Sequence, residues 1–126
     1  MTYGFDEIRL NEEPSGTVVT LVFKGTLKKE DYDHFVPQIE KIMESRDKIN
    51  LLIILKDFNG WTAGALWEDT KFGIRHFDDI QRLAIVGDTA WQKAMASFVK
   101  PFTRAEVEYF NLSSLEQAKN WINEPY

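Results

Sequence analysis

INLLIIL, residues 49–55, and the DFNGWTAGALWED that follows at 57–69, decide how the chain is read. The first segment is almost continuously branched and apolar, as a central strand covered on both faces would be. The second offers Asn59 and Gly60 for a turn, with Gly60 suited to a positive φ. Beyond the turn, Ala63, Leu66, Trp67, Thr70, Gly73, Ile74 and Phe77 fall on one side of a helix. A buried strand that leads through a loop into an amphipathic helix is the repeating unit of an α/β sheet.

The flanking sequence extends this unit in both directions. Ile8 and Leu10 alternate with polar neighbours, EEPSG makes a turn, and VVTLVF at 18–23 returns as a strand, which predicts a hairpin. From Leu27 to Met43, Tyr32, Phe35, Val36, Ile39 and Ile42 recur at helical spacing, and Pro37 within them removes one backbone donor and predicts a kink. On the other side, IQRLAIVG at 80–87 is the next strand. Thr89 and Gln92 stand at capping-box spacing before a helix with Trp91, Met95 and Phe98 on one face, ending near Pro101. Ala105–Phe110 gives a last strand. Ser113 and Glu116 form a second capping box, opening a helix that buries Leu115, Ala118 and Ile122. The order predicts a single domain over residues 1–126: a mixed, mostly parallel sheet of about five strands with four main helices and right-handed crossovers.

Composition agrees with one compact core. The chain has 126 residues, 44% of them apolar, with Trp 4, Tyr 4 and Phe 9. Its net charge of -5 opposes nonspecific attraction to nucleic acid or to an anionic membrane. No apolar stretch is long enough to span a bilayer, and MTYGFDEIRL lacks the features of a secretion signal. Cys 0 excludes disulfides, thiolate metal sites and a cysteine nucleophile, and fits a cytoplasmic location.

Ligands of open parallel sheets bind beyond the carboxyl ends of the strands. Those ends carry KDFNGW, GDTAW and FNLSS, so the expected binding surface comprises Asp57, Asn59, Gly60, Trp61, Thr62, Trp67, Lys71, Phe72, Asp88 and Trp91. Asp57 is suited to capping loop donors. Trp61 either packs over the loop or lines a pocket, whereas Trp67 on the apolar stripe is expected in the core. Phe72 projects among Glu68, Asp69 and His76, on the wet side of the helix, flanked by the basic Lys71 and Arg75. It is either a partner contact or an ordinary exposed apolar residue. GDTAW opens a helix whose free donors suit an anion.

Catalytic signals are sparse. His34 and His76 have no nucleophile or metal-ligand spacing near them, and Asp78 with Asp79 reads as turn and cap residues. The chain has no dinucleotide fingerprint, phosphate loop or nucleophile elbow. No metal or other cofactor is expected.

KKEDYDHFVPQIEK, LLIILKDFNGWTAGALWEDTKFG, RLAIVGDTAWQKAM and AEVEYFNLSSLEQAKNWI together resemble the SpoIIAA-like family of small bacterial proteins, from about Val18 to Ile122. The resemblance implies the STAS-type fold, a right-handed superhelix of βα turns related to anti-sigma-factor antagonists and more remotely to the CRAL-TRIO lipid-binding domain. It implies no known reaction. Regulatory STAS proteins carry a phosphorylatable serine in an Asp-Ser-Ser-Gly motif where this chain reads WTAG. Gly64 matches that motif, the phosphoserine position falls on Thr62 or Ala63, and the preceding acid is missing. Thr62 is the one hydroxyl left there and is the candidate modification site.

The expected role is a non-enzymatic regulatory or interaction module, with a protein partner bound through the loop 57–62 and the outer face of the next helix. The alternative is a binder of a small apolar or amphipathic ligand, walled by Trp61, Trp67 and Trp91 and anchored by Lys71 or the GDTAW helix start. A weaker one is a hydrolase using Asp57, Asp69 or His76. Sequential strand order would put the helices on one face, leaving apolar strand surface for a second subunit, so a homodimer is also expected.

Overall fold

In a computed structural model, residues 5–13, 16–44, 48–75, 79–87 and 106–124 are described. Strands β1 (Phe5–Glu13), β2 (Gly16–Leu27), β3 (Ile49–Trp61), β4 (Ile80–Gly87) and β5 (Glu106–Asn111) form one sheet in sequential order. β1 is antiparallel to β2, and the other neighbours are parallel. Helix α1 (Lys29–Glu44) joins β2 to β3, and α2 (Ala63–Arg75) joins β3 to β4. A short 3-10 turn (Leu112–Ser114) and helix α3 (Leu115–Asn123) close the chain. The α/β class and the largely parallel sheet are as expected. Three of the four expected helices are seen; the one expected after Thr89, with Asp88 and Trp91, lies outside the described residues.

Alternation along the strands sorts their side chains between two cores. Val19, Leu21 and Phe23 of β2 with Leu51 and Leu55 of β3 pack on Tyr32, Phe35 and Ile39 of α1 and Ala65 of α2. The Phe23 and Phe35 rings lie 5.4 Å apart, and those of Tyr32 and Phe35 4.6 Å apart. On the opposite face, Val18, Leu52, Ala84 and Val86 pack on Ala118 and Ile122 of α3. The two described crossover helices, α1 and α2, share one face as expected, but the terminal helix α3 packs on the other, so that face is not left bare. The apolar surface proposed for a second subunit is covered by α3 where Leu52, Ala84 and Val86 lie. α1 runs uninterrupted through Pro37, with Pro37 on its exposed side.

The central strand is longer than its apolar run. β3 continues through Asn59 and Gly60 to Trp61, where a turn was expected. Its extra residues find backbone partners because β2 also continues, past irregular pairing at Gly25, where φ is 65. Gly25 then pairs with Phe58, Thr26 with Gly60 and Leu27 with Trp61. At the other end, Ser113 and Glu116 do not form the expected box. Asn111 accepts a hydrogen bond from the Ser113 amide at 3.2 Å and caps the 3-10 turn instead, while Glu116 pairs with Lys119 at 3.7 Å.

Candidate interaction surface on the second helix

Where β3 ends, Thr62 becomes the first cap of α2. Its hydroxyl oxygen accepts a hydrogen bond from the Ala65 amide at 3.1 Å, satisfying one of the donors that a helix start leaves free. Thr62 is exposed as a residue, while the bond its hydroxyl makes to the Ala65 amide is part-buried.

α2 lies beside α1 in the same direction, and this packing fixes its rotation. At its start, a Cβ on Gly64 would touch the Cβ of Lys29 at 3.5 Å; at its end, Arg75 bonds Glu40 at 2.8 Å. The same interval, eleven residues, separates the contacts on each helix, as it should between parallel helices in step. Positions 64, 68, 71 and 75 thus abut α1, and the inward face lies a quarter turn away. Ala65 is fully buried there, and Phe72 is half-buried against the α1 core.

Two expectations are corrected by this rotation. Phe72 is not on the wet side; it packs inward. Trp67 is not in the core; it is 62% exposed, with Ala63 and Gly64 exposed beside it on the first turn. The apolar count had put Trp67 on one stripe with Ala63, Leu66, Thr70, Gly73, Ile74 and Phe77, but the neighbouring helix determines which side meets the sheet. Lys71, one turn after Trp67, bonds Glu68 at 3.0 Å and is half-buried.

The remaining expected site residues are placed by backbone only. Asp57, Asn59, Gly60 and Trp61 belong to β3, not to a loop, and their side chains lie outside the described ones. The strand ends near α2 are held by short polar contacts: Asp31 accepts from the Lys28 amide at 2.7 Å, and the Tyr109 hydroxyl donates to the Gly87 carbonyl at 2.7 Å. Among the described residues no group of His, Cys, Asp and Glu is arranged to hold a metal ion. Nor, among them, is any helix long and apolar enough to cross a membrane. This surface presents a large exposed aromatic, Trp67, with the small Ala63 and Gly64 and the exposed Thr62 beside it.

A five-stranded sheet with α1 and α2 on one face and α3 on the other defines an α/β domain whose second helix carries an exposed tryptophan. Residues 18–123 match the SpoIIAA-like family, and the chain belongs to it. The fold is similar to that of an uncharacterised protein of the DUF3478 family with a SpoIIAA-like fold from Shewanella loihica PV-4. That likeness has a TM-score of 0.80 at 24% identity and covers 97% of this chain and 96% of the other. No curated protein matches the chain.

Proposed function

We propose that the chain is a non-enzymatic interaction module that docks a cytoplasmic protein partner on the first two turns of α2. The observation that carries this reading is Trp67, 62% exposed and the large hydrophobic side chain that stands out among the described residues. Burying an exposed tryptophan on a partner releases a large apolar surface from water, and tryptophan is enriched among residues that dominate interface energy. Ala63 and Gly64 keep the surface beside it low, which lets a partner's backbone approach. Lys71 and Glu68 supply a polar rim.

Thr62 gives the surface a means of control. A phosphate there would add about −1.5 to −2 charges at a helix start, where negative charge is favoured, and would change the rim one turn from Trp67. The ligand-binding alternative has weaker support, because a tryptophan standing in solvent encloses little.

The test compares quantitative pull-downs by the wild type and Trp67→Ala from cells of the source organism, with Pro37→Ala on α1 as a surface control. A partner retained by the wild type and the control but lost by Trp67→Ala supports the reading. Identical partner sets for all three would overturn it.

A further inference from the structure

The far end of β3 carries a reactive pair of residues that is independent of the surface around Trp67. Asn59 is followed by Gly60, whereas Asn11, Asn50, Asn111, Asn120 and Asn123 each precede a residue with a large side chain. The carboxamide of an asparagine can be attacked by the backbone nitrogen of the next residue, and a side chain on that residue hinders the approach. Glycine offers no such hindrance and has the freest backbone.

Backbone geometry decides whether the pair reacts. Ring closure needs the asparagine to leave the extended conformation, because the ψ of a strand holds the next nitrogen away from the side-chain carbon. A regular strand therefore protects an Asn-Gly pair, but β3 is irregular at this one. Gly25 faces Phe58 and Thr26 faces Gly60, so Asn59 is the extra residue that none of β2 faces, as in a β-bulge. Gly60 is back in register, and its pairing with Thr26 keeps its backbone in place.

That pairing is locally weak. Among the described residues β4 pairs with β3 only as far as Ile54, so from Phe58 to Trp61 the strand has a neighbouring strand on one side alone. Gly25 sits at φ 65 between two register shifts, at the base of this two-stranded arm. Two strands without a third are marginal in water, and such segments open far more often than a whole domain unfolds.

We infer that Asn59 is a deamidation site gated by the pairing of the β2–β3 arm. When the arm opens, the Gly60 nitrogen gives its proton to solvent base and bonds to the side-chain carbonyl carbon of Asn59. The bond from that carbon to its amide nitrogen breaks, the nitrogen takes a proton from water and leaves as ammonia, and a cyclic imide remains. Water then opens the ring at either carbonyl, leaving an aspartyl or an isoaspartyl residue at position 59. Both carry a new negative charge. The isoaspartyl form also inserts a methylene carbon into the main chain, so Gly60 and Trp61 cannot return to their register with Thr26 and Leu27. The strand that leads into Thr62 and α2 is then loosened irreversibly.

The test follows deamidation of the full chain by peptide mass spectrometry in mildly alkaline buffer, beside amide exchange of the same sample. Position 59 should convert ahead of every other asparagine, about ten- to a thousandfold more slowly in the folded chain than in urea. That slowing should match the exchange protection of the Gly60 amide. Gly25→Val, strained by its φ and not by crowding, should speed conversion severalfold while the amides of β4 and α3 stay protected. Gly60→Ala, which crowds the attacking nitrogen, should slow it in both states. Equal rates in the folded and urea-unfolded wild type would overturn the inference, as would conversion unmoved by either variant. So would slowing that matches the protection of Leu52 in the body of the sheet, since global unfolding would then be the gate; this wild-type comparison decides even where Gly25→Val loses the fold.

Discussion

Arg82 of β4 and Trp121 of α3 are joined twice: the guanidinium donates to the Trp121 carbonyl at 3.0 Å, and its Cζ lies 5.5 Å from the Trp121 ring centroid. The same nitrogen donates to the Glu124 carbonyl at 2.9 Å. Arg82 thereby ties two carbonyls at the end of α3: that of Trp121, which also accepts the Glu124 amide at 3.4 Å, and that of the capping residue Glu124. It is itself buried, and its amide donates to the Asn50 side chain at 3.1 Å beside irregular β3–β4 pairing.

Replacing Arg82 with alanine should therefore cost about 2–4 kcal/mol, since it removes charge-assisted hydrogen bonds and the ring contact together. Lysine at this position keeps the charge but cannot reproduce the planar fork, so it should rescue only part of the loss. Urea unfolding gives the magnitudes. Faster hydrogen exchange in α3 than in α1 would locate the damage; uniform acceleration would contradict a local latch.

At the start of α2, Thr62→Ala should destabilise the domain by about 1 kcal/mol through loss of the bond to the Ala65 amide. Thr62→Ser should be close to neutral because it keeps the oxygen. The direct readout is exchange protection at the Ala65 amide, lost in the alanine variant and kept in the serine one.

How far the sequence carried the fold depends on the range of the forces involved. β4 was legible to the residue as IQRLAIVG, because a short apolar run between turn signals needs no distant information. α1 was legible for a similar reason, its apolar period being clean from Tyr32 to Ile42. The rotation of α2 was not, since Ala63, Trp67 and Ile74 count as apolar wherever they point, and contact with Lys29 and Glu40 of α1 decides the matter. Asn59 and Gly60 looked like a turn because turn signals are local, whereas their strand state depends on β2 extending to Leu27. Arg82 carried no signal: its partners lie 39 and 42 residues away.

Asp31 offers a third prediction. It is 2% exposed on the first turn of α1 and accepts from the Lys28 amide at 2.7 Å, half of a capping box completed by no side-chain oxygen on Lys28. Asp31→Ala would leave a part-buried donor unsatisfied and should cost about 1–3 kcal/mol. Asp31→Asn retains an acceptor oxygen and should cost less. Comparing the two by thermal unfolding separates the hydrogen bond from the burial, and equal losses would argue that packing, not the bond, matters at this position.

The rotation of α2 makes Trp67 and Phe72 opposites, and stability measurements can check that without knowing any partner. Trp67 is 62% exposed, so truncation to alanine removes few internal contacts and should change stability by no more than about 0.5 kcal/mol. Phe72 packs against the core of Phe35 and Leu55, and Phe72→Ala should cost about 2 kcal/mol, less than a fully buried phenylalanine because part of its ring already meets water. Denaturant midpoints of the two variants give the order directly. If Trp67→Ala proved the more damaging, the tryptophan would belong to the core as the apolar stripe suggested, and the docking surface on α2 would lose its anchor. If Phe72→Ala is the damaging change, the chain maintains an exposed tryptophan that its own stability does not require, which is what a surface reserved for a partner predicts.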